Sequence, residues 1–512
     1  MKTILYTFIF LMMSQMLMAQ ILHVPEQYAT IQSGIDAAQT GDTVLVAPGI
    51  YYEFINFNGK AITVASHFLT TRDTAMISQT VITSEGSDNV VALVKFQTQE
   101  TRSTCLCGFT LKDNISYFTG GIDCYQSSPT LTHLKIENNY ADMNAGGIEC
   151  RDLASPYIAH VEITGNSSHY AGGGISCSLN SSPQLVDVVL SNNTSRGSGG
   201  GGLQCWYDCN PILENVVFYN NTSQHSASAI YCVDSKITVH NALIANNNIL
   251  YDDNGGAVVL IGYDESIFTN ITMANNTGNG QAGMMIHDRS SATITNSILY
   301  NNGPAEVYFY EMSSPATLTV SHCNIAGGEA GVVHSDSISI HWLEGNIDAD
   351  PAFAGSGATP FALSESSPCI DAGTADTTGL MLPAGDLLMN HRIWDGNHNG
   401  TAIIDMGAYE FDAAPLSVAS PENPGRETAT LQVFPNPAKG SFVVGFDLEK
   451  SQQVSLQIFS LTGVLVHQVP ATFCERGTQQ TAIDISHLRP GIYLLQLMPE
   501  EGFARQARVV VR

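Results

Sequence analysis

The sequence predicts an all-β protein, a parallel β-helix solenoid followed by a small C-terminal β-sandwich. Three observations predict it. Cys124, Cys150, Cys177, Cys205 and Cys232 recur at steps of 26, 27, 28 and 27 residues. A second column, Asn139, Asn166, Asn193, Asn221, Asn247, Asn276 and Asn302, keeps the same period. Each repeat holds short runs of alternating polarity broken by Gly, Asn, Ser and Pro, and none holds a helix-length apolar stripe.

Composition excludes two other classes. The 512 residues carry 20 Lys plus Arg against 47 Asp plus Glu, a net charge of −27. Only 13% are charged while 44% are hydrophobic. Disorder requires the opposite balance. An isoelectric point near 4.7 leaves no basic face for nucleic acid.

Met1-Lys2, an apolar run from Ile4 and a small residue at Ala19 form a secretory signal, 1–19. The run is shorter than the ~20 residues that span a bilayer, so no transmembrane segment is expected after cleavage. The β-helix occupies 20–345. Its opening, Thr30 to Ala38, reads as a short amphipathic helix that caps the first coil, because an open coil end is a bare sheet edge. Gly41 to Val46 is then the first strand.

The repeat runs Gly-Gly-Ile-x-Cys (120–124, 146–150, 173–177), a Ser-Ser-Pro turn, a strand and Asn-Asn. One unit cannot bury its own apolar face, so units must stack. Stacking at ~4.8 Å per rung places Ile and Cys in the lumen. Asn at the bends then pairs with the Asn of the next rung. Cys205 and Cys209 are close enough in sequence to pair, though connectivity cannot be deduced.

Residues 346–411 form the end or cap of the helix, and 412–430, rich in Pro, Ala, Ser and Thr, is a linker. In 431–512 alternating strands are expected over 441–446, 454–459, 464–469, 492–497 and 505–511.

These segments resemble known families. VPEQYATIQSGIDAAQTGDTVLVAPGIYYE (24–53) is similar to the opening of right-handed parallel β-helix proteins of the pectin-lyase-like superfamily. IDADPAF (347–353), SPCIDAG (367–373) and IDMGAYEF (404–411) resemble the terminal region of bacterial choice-of-anchor surface proteins. VFPNPAKGSF (433–442), LQIFSLTGVLV (456–466) and LRPGIYLLQL (488–497) resemble the sorting domain of the Por (type IX) secretion system of Bacteroidetes. The resemblance implies export, handling of 431–512 by the type IX machinery, and a secreted or outer-membrane cell-surface location.

Function belongs to outward residues. If the column Cys points inward, its neighbours point out. That builds a strip of Asp123, Tyr125, Glu149, Arg151, Gln204, Trp206 and Tyr231. Aromatic faces stack on sugars, and charged groups bond hydroxyls or uronates, so the strip is a candidate glycan-binding surface. The alternative is an ordinary solvated face. Asp123 and Glu149, about 5 Å apart on adjacent rungs, have the spacing of a retaining glycosidase pair and are the catalytic candidates. Polygalacturonase and pectin methylesterase signatures are missing beyond Gly49, Tyr51 and Glu53.

Asp395, Asn397, Asn399 and Asp405 read either as a calcium loop or as ordinary turns. No zinc spacing occurs, and calcium is the one cofactor admitted. The expected function is a surface glycan-binding or adhesive protein without catalysis. The alternatives are a polysaccharide lyase or glycoside hydrolase, and a structural stalk.

Overall fold

The five column cysteines form one stack. Parallel pairing sets Cys124 opposite Cys150, then Cys177, Cys205 and Cys232, and all five are fully buried. The computed structural model describes residues 19–84, 88–89, 91–251, 255–262, 265–278, 282–287, 289–310, 316–334, 338–416, 431–448, 450–460, 465–488, 491–499 and 505–511. Residues 1–18 of the expected signal sequence and 417–430 of the expected linker lie outside them.

Each coil has three faces. The Cys face is built from strands such as Ile122–Tyr125, the long face from Thr130–Glu137 and the short face from Tyr140–Ala141. Among the described residues these give parallel sheets of 11, 18 and 8 strands. Between them runs one continuous lumen core of Ile, Leu, Val, Phe and Cys. The Gly-Gly pair of the repeat has a steric cause. A Cβ on Gly121 would sit 2.4 Å from the Gly147 carbonyl oxygen on the next rung.

The Asn column is a hydrogen-bonded ladder. Asn139 donates from its backbone N and from Nδ2 to Asn166 Oδ1, at 3.0 Å each. Asn166 repeats this to Asn193, and the chain of contacts runs on to Asn302. Each Nδ2 also reaches a strand carbonyl, as Asn193 does to Ile163. The residue before it, Asn138, Asn192 or Asn220, takes the left-handed conformation that turns the corner.

The N-terminal cap is helix α1 (Ile31–Ala37). Thr30 and Ser33 form a capping box, Ile31 and Ile35 seal the lumen, and Lys60 Nζ caps the far end through Ile35, Asp36 and Ala38 carbonyls. Glu53 accepts from the Ile31 and Gln32 amides at 2.9 and 3.0 Å, so this residue of the Gly-x-Tyr-x-Glu segment is a helix cap. The first strand is Ile21–Val24, paired with Thr43–Val46; the sequence reading had begun the sheet one strand late. Two short helices, α2 (Phe68–Thr71) and α3 (Ala75–Gln79), interrupt the second coil and lie on the outside of the long face over Ala65 and Cys107.

Residues 346–416 start as a last rung, through a bridge between Asn324 and Ile347. They then double back along the outside of the long face. Phe361, Ala408 and Tyr409 pack on Leu243, Ala245 and Ala274. This wrap belongs to the same compact unit as the helix. All eleven cysteines are free thiols; Cys209 donates to the Trp206 carbonyl rather than pairing with Cys205. No helix among the described residues is long and apolar enough to cross a membrane.

Among the described residues the second unit has seven strands. Both halves contribute to one core, with Phe442, Val444 and Phe446 meeting Leu456, Ile458, Leu495 and Val509. Gln432–Lys439 and Gly477–Asp484 were not expected. Pro435 and Pro437 hid the first, since proline removes ladder donors and is tolerated only at edges or bulges; its pairing does shift between Phe434 and Lys439.

Candidate functional site

The strip on the Cys face has the expected register and a different exposure. Asp123 stands opposite Glu149, then Ser176, Gln204 and Tyr231. These point away from the lumen, yet all are buried, Asp123 at 6% and Glu149 at 3%. The cause is the Gly-rich turn leading into each strand, which folds over that strand's first outward side chain. Glu149 accepts from the Ala145 amide of its own turn at 3.2 Å, and Glu306 does the same for Asn302. The other column, Tyr125, Arg151 and Trp206, is half-buried.

Asp123 is fully engaged. Arg151 grips it through Nε and Nη2 at 3.2 Å each, Gln97 donates to it at 2.7 Å, and the guanidinium lies 4.5 Å from the Tyr125 ring centre. Burial, then the Asp123 charge, pushes the Glu149 carboxyl up to about 8. The pair therefore ties the face together, with both carboxyls buried and hydrogen-bonded. Trp206 and Tyr231 belong to an apolar patch with Val259 and Met285.

The calcium candidates are engaged in the same way. Asp395 accepts from the Asn399 and Gly400 amides, Asn397 from Asn399, and Asn399 from Thr401. The loop's oxygens close its own turns. Asp405 is buried and accepts from the Asp371 and Phe411 amides at 2.6 Å, and Asp371 in turn accepts from the Gly396 and Asn397 amides. Among the described residues no group of three or more His, Cys, Asp or Glu is arranged to hold a metal.

The long face carries what the sequence reading missed. Each of its strands bends at one residue held at φ between 51° and 59°: His133, His160, Asp187, Asn215, Asn241, Asn270, Asn296 and His322. Asn, Asp and His tolerate that conformation better than other side chains. The bend adds an extra outward residue, so Thr132 and His133 both lie between the lumen residues Leu131 and Leu134. A signal was available: His133 and His160 are 27 residues apart, one repeat.

The outward column meets two environments. Beneath the wrap, Asn241 donates to the Gly385 carbonyl, Asn270 to those of Asp405 and Gly407, and Asn296 accepts from Thr374. The earlier rungs are uncovered. There an open groove of about 590 Å³ runs over His133, Lys135, His160, Glu162 and Asp187, with Asp73 to Ser78 of the α2–α3 insertion as its wall.

Contacts within the groove are ordered. The Phe68 ring lies 4.5 Å from His133, and His133 lies 4.7 Å from His160. His160 Nδ1 is 3.3 Å from Asp187 Oδ2, and Asn215 donates to the other Asp187 oxygen at 3.0 Å. Burial, with His160 and Arg72 nearby, lowers the His133 pKa to about 4. It is therefore neutral at neutral pH, with Nδ1 hydrogen-bonded to Thr132 Oγ1. Lys135 and Glu162 pair at 3.6 Å across the next column. The His160 side chain keeps 51% exposure within the groove. The arrangement offers donors, acceptors and an imidazole oriented by a carboxylate, the parts for hydroxyl recognition or proton transfer.

Under the wrap lies a buried charge cluster that the sequence reading also missed. Arg392 and Glu410 face each other at 3.6 Å, with side chains 2% and 1% exposed. Arg392 also donates to the Gly407 carbonyl. Burial raises Glu410 to about 9 and lowers Arg392 despite their attraction. Asp386 accepts from the Leu388, Asn390 and Glu410 amides. The cluster locks the wrap rather than facing solvent.

The family described as right handed beta helix region matches residues 173–344, and the secretion system C-terminal sorting domain matches 432–512. No curated protein matches the chain. Among solved structures, that of pectate lyase Pel9A is similar at 13% identity and a TM-score of 0.34, over 77% of this chain and 96% of that one.

Proposed function

We propose that this chain, a right-handed parallel β-helix with a Por secretion system C-terminal sorting domain that indicates secretion and cell-surface attachment, binds glycans there without catalysis. The observation that carries this reading is the uncovered groove over His133, His160 and Asp187. Its floor is rigid sheet, which holds recognition groups in place at little entropic cost. Its rung spacing of about 4.8 Å suits a ligand with a short linear repeat. Its groups are mixed in sign, and the chain's charge of −27 favours neutral over polyanionic polymers.

The test is a panel of plant, algal and host glycans, with and without calcium, presented to the full chain. Binding is measured alongside reducing ends and unsaturated-product absorbance. The proposal expects saturable binding without turnover, weakened at least tenfold by His160→Ala. Neither binding nor turnover would leave a structural stalk.

One observation favours a second reading, a polysaccharide-degrading enzyme. The His160–Asp187 contact sets an imidazole beside a carboxylate, with Lys135 also lining the groove, and an imidazole so placed can serve as a general base. Turnover abolished by His160→Ala would establish it in place of the first.

A further inference from the structure

A second surface stands apart from the groove, on the corner that follows each short-face strand. Two places past Ser116, Ala141, Ser168, Ser195, Ser223 and Ile249, which share one register, stand Phe118, Met143, Tyr170, Gly197, His225 and Tyr251. Phe118 is 51% exposed, Tyr170 60% and Tyr251 65%. Singly exposed rings are ordinary, but three of them within six successive rungs of one column make a candidate contact surface. One place nearer the strand runs a column of Tyr117, Asp142, His169, Arg196, Gln224 and Leu250, polar over its middle four rungs.

The two columns are tied together. The Tyr170 ring stacks on His169 at 4.4 Å and 13°, and His169 Nδ1 lies 3.9 Å from Asp142. Tyr140 donates to Asp142 at 2.5 Å, and the Arg196 guanidinium covers the Tyr140 ring at 5.2 Å. The rings are thus held by neighbours rather than free to collapse. Six rungs span about 24 Å at the sheet spacing.

We infer that this ridge is a platform for a neutral polysaccharide lying along the coil axis. The inference rests on the glycan-binding reading and gives it a ligand class and a second contact. A pyranose has an apolar face and a rim of hydroxyls. The ridge offers rings on one column and hydrogen-bonding side chains on the next. Asp142 and Arg196 balance in charge, which suits an uncharged chain. A protein partner would need a contiguous apolar centre, whereas Gly197 and His225 interrupt this one.

The test is affinity electrophoresis of the full chain in soluble β-glucan, galactomannan and xylan, with polygalacturonate as the anionic comparison. The variants are Tyr170→Ala, Tyr251→Ala, their double and, separately, His160→Ala. Unchanged melting temperatures establish that the exposed substitutions leave the fold intact. Each ring removed is expected to weaken retention in a neutral glycan about 2- to 10-fold, with polygalacturonate ineffective throughout. Retention that falls with His160→Ala but not with the double ridge variant overturns the ridge and leaves the groove. Wild type retarded by no glycan overturns both. Loss of a sedimenting self-associated species in the ridge variant, with glycan retention unchanged, overturns the inference in favour of a contact between copies.

Discussion

One column of side chains on the long face meets two fates. From Asn241 to Asn296 it lies under the 346–416 wrap, and the residues are amides that bond its backbone. From His133 to Asp187 it is open, and the residues are imidazoles and a carboxylate in a groove. The backbone bend, the register and the outward direction are the same in both halves. The scaffold therefore sets where these side chains stand, and the cover decides what they are for. Amides are neutral and bidentate, suited to a buried contact. The titratable His133, His160 and Asp187 line the open groove, where water or a ligand can reach them.

Removing the lock on the wrap breaks the comparison most strongly. Arg392→Ala leaves the buried Glu410 without its partner and the Gly407 carbonyl without that donor. A loss of about 3–5 kcal/mol is expected in denaturant unfolding. Hydrogen exchange should then rise across the covered strands while the open rungs keep their protection.

The Asn ladder runs through both halves, so the same lesion should cost the same in each. Asn166→Leu and Asn247→Leu each orphan a buried amide on one rung and a carbonyl on another, a loss of about 2–4 kcal/mol. Unequal losses would mean that the wrap, rather than the ladder, holds the covered coils.

Glu149 sharpens the account through pH. Its carboxyl ionises at about 8 in the fold against an ordinary 4.5. Between those values the unfolded chain has released a proton that the folded chain keeps. Stability attributable to this group therefore falls as pH rises across that window, by about 1.4 kcal/mol per pH unit, and is flat outside it. Glu149→Gln should show a correspondingly shallower decline of melting temperature between pH 5 and 8.

The smallest effect on stability belongs to the open half. His160→Ala removes a half-exposed side chain with one surface ion pair, so its cost should stay within about 0.5 kcal/mol while glycan binding drops.

The solenoid was legible because Cys124 to Cys232 and Asn139 to Asn302 repeat at nearly constant steps, and a constant step requires stacking. Direction was legible for the same reason: Asp123 and Tyr125 must leave the lumen if Cys124 fills it. Exposure was not, because it depends on the turn before each strand folding over Asp123 and Glu149. The His133–His160 column escaped a reading based on strict alternation, since a left-handed residue in mid-strand breaks the period of two. The wrap escaped because its contacts join residues more than 130 apart, as from Asn270 to Asp405, with no period to betray them. Asp395 to Asn399 stayed ambiguous because an Asx turn and a calcium loop draw on the same oxygens.

The central claim is that the uncovered half of the bend column is where a glycan meets this protein. Diethyl pyrocarbonate labelling of histidines, read by mass spectrometry with and without saturating bound glycan, tests it most directly. His398, with its side chain 73% exposed and outside the groove, serves as the reference. The account predicts that glycan slows labelling of His160 and leaves His398 unchanged. Labelling of His160 at the same rate under saturation would contradict it.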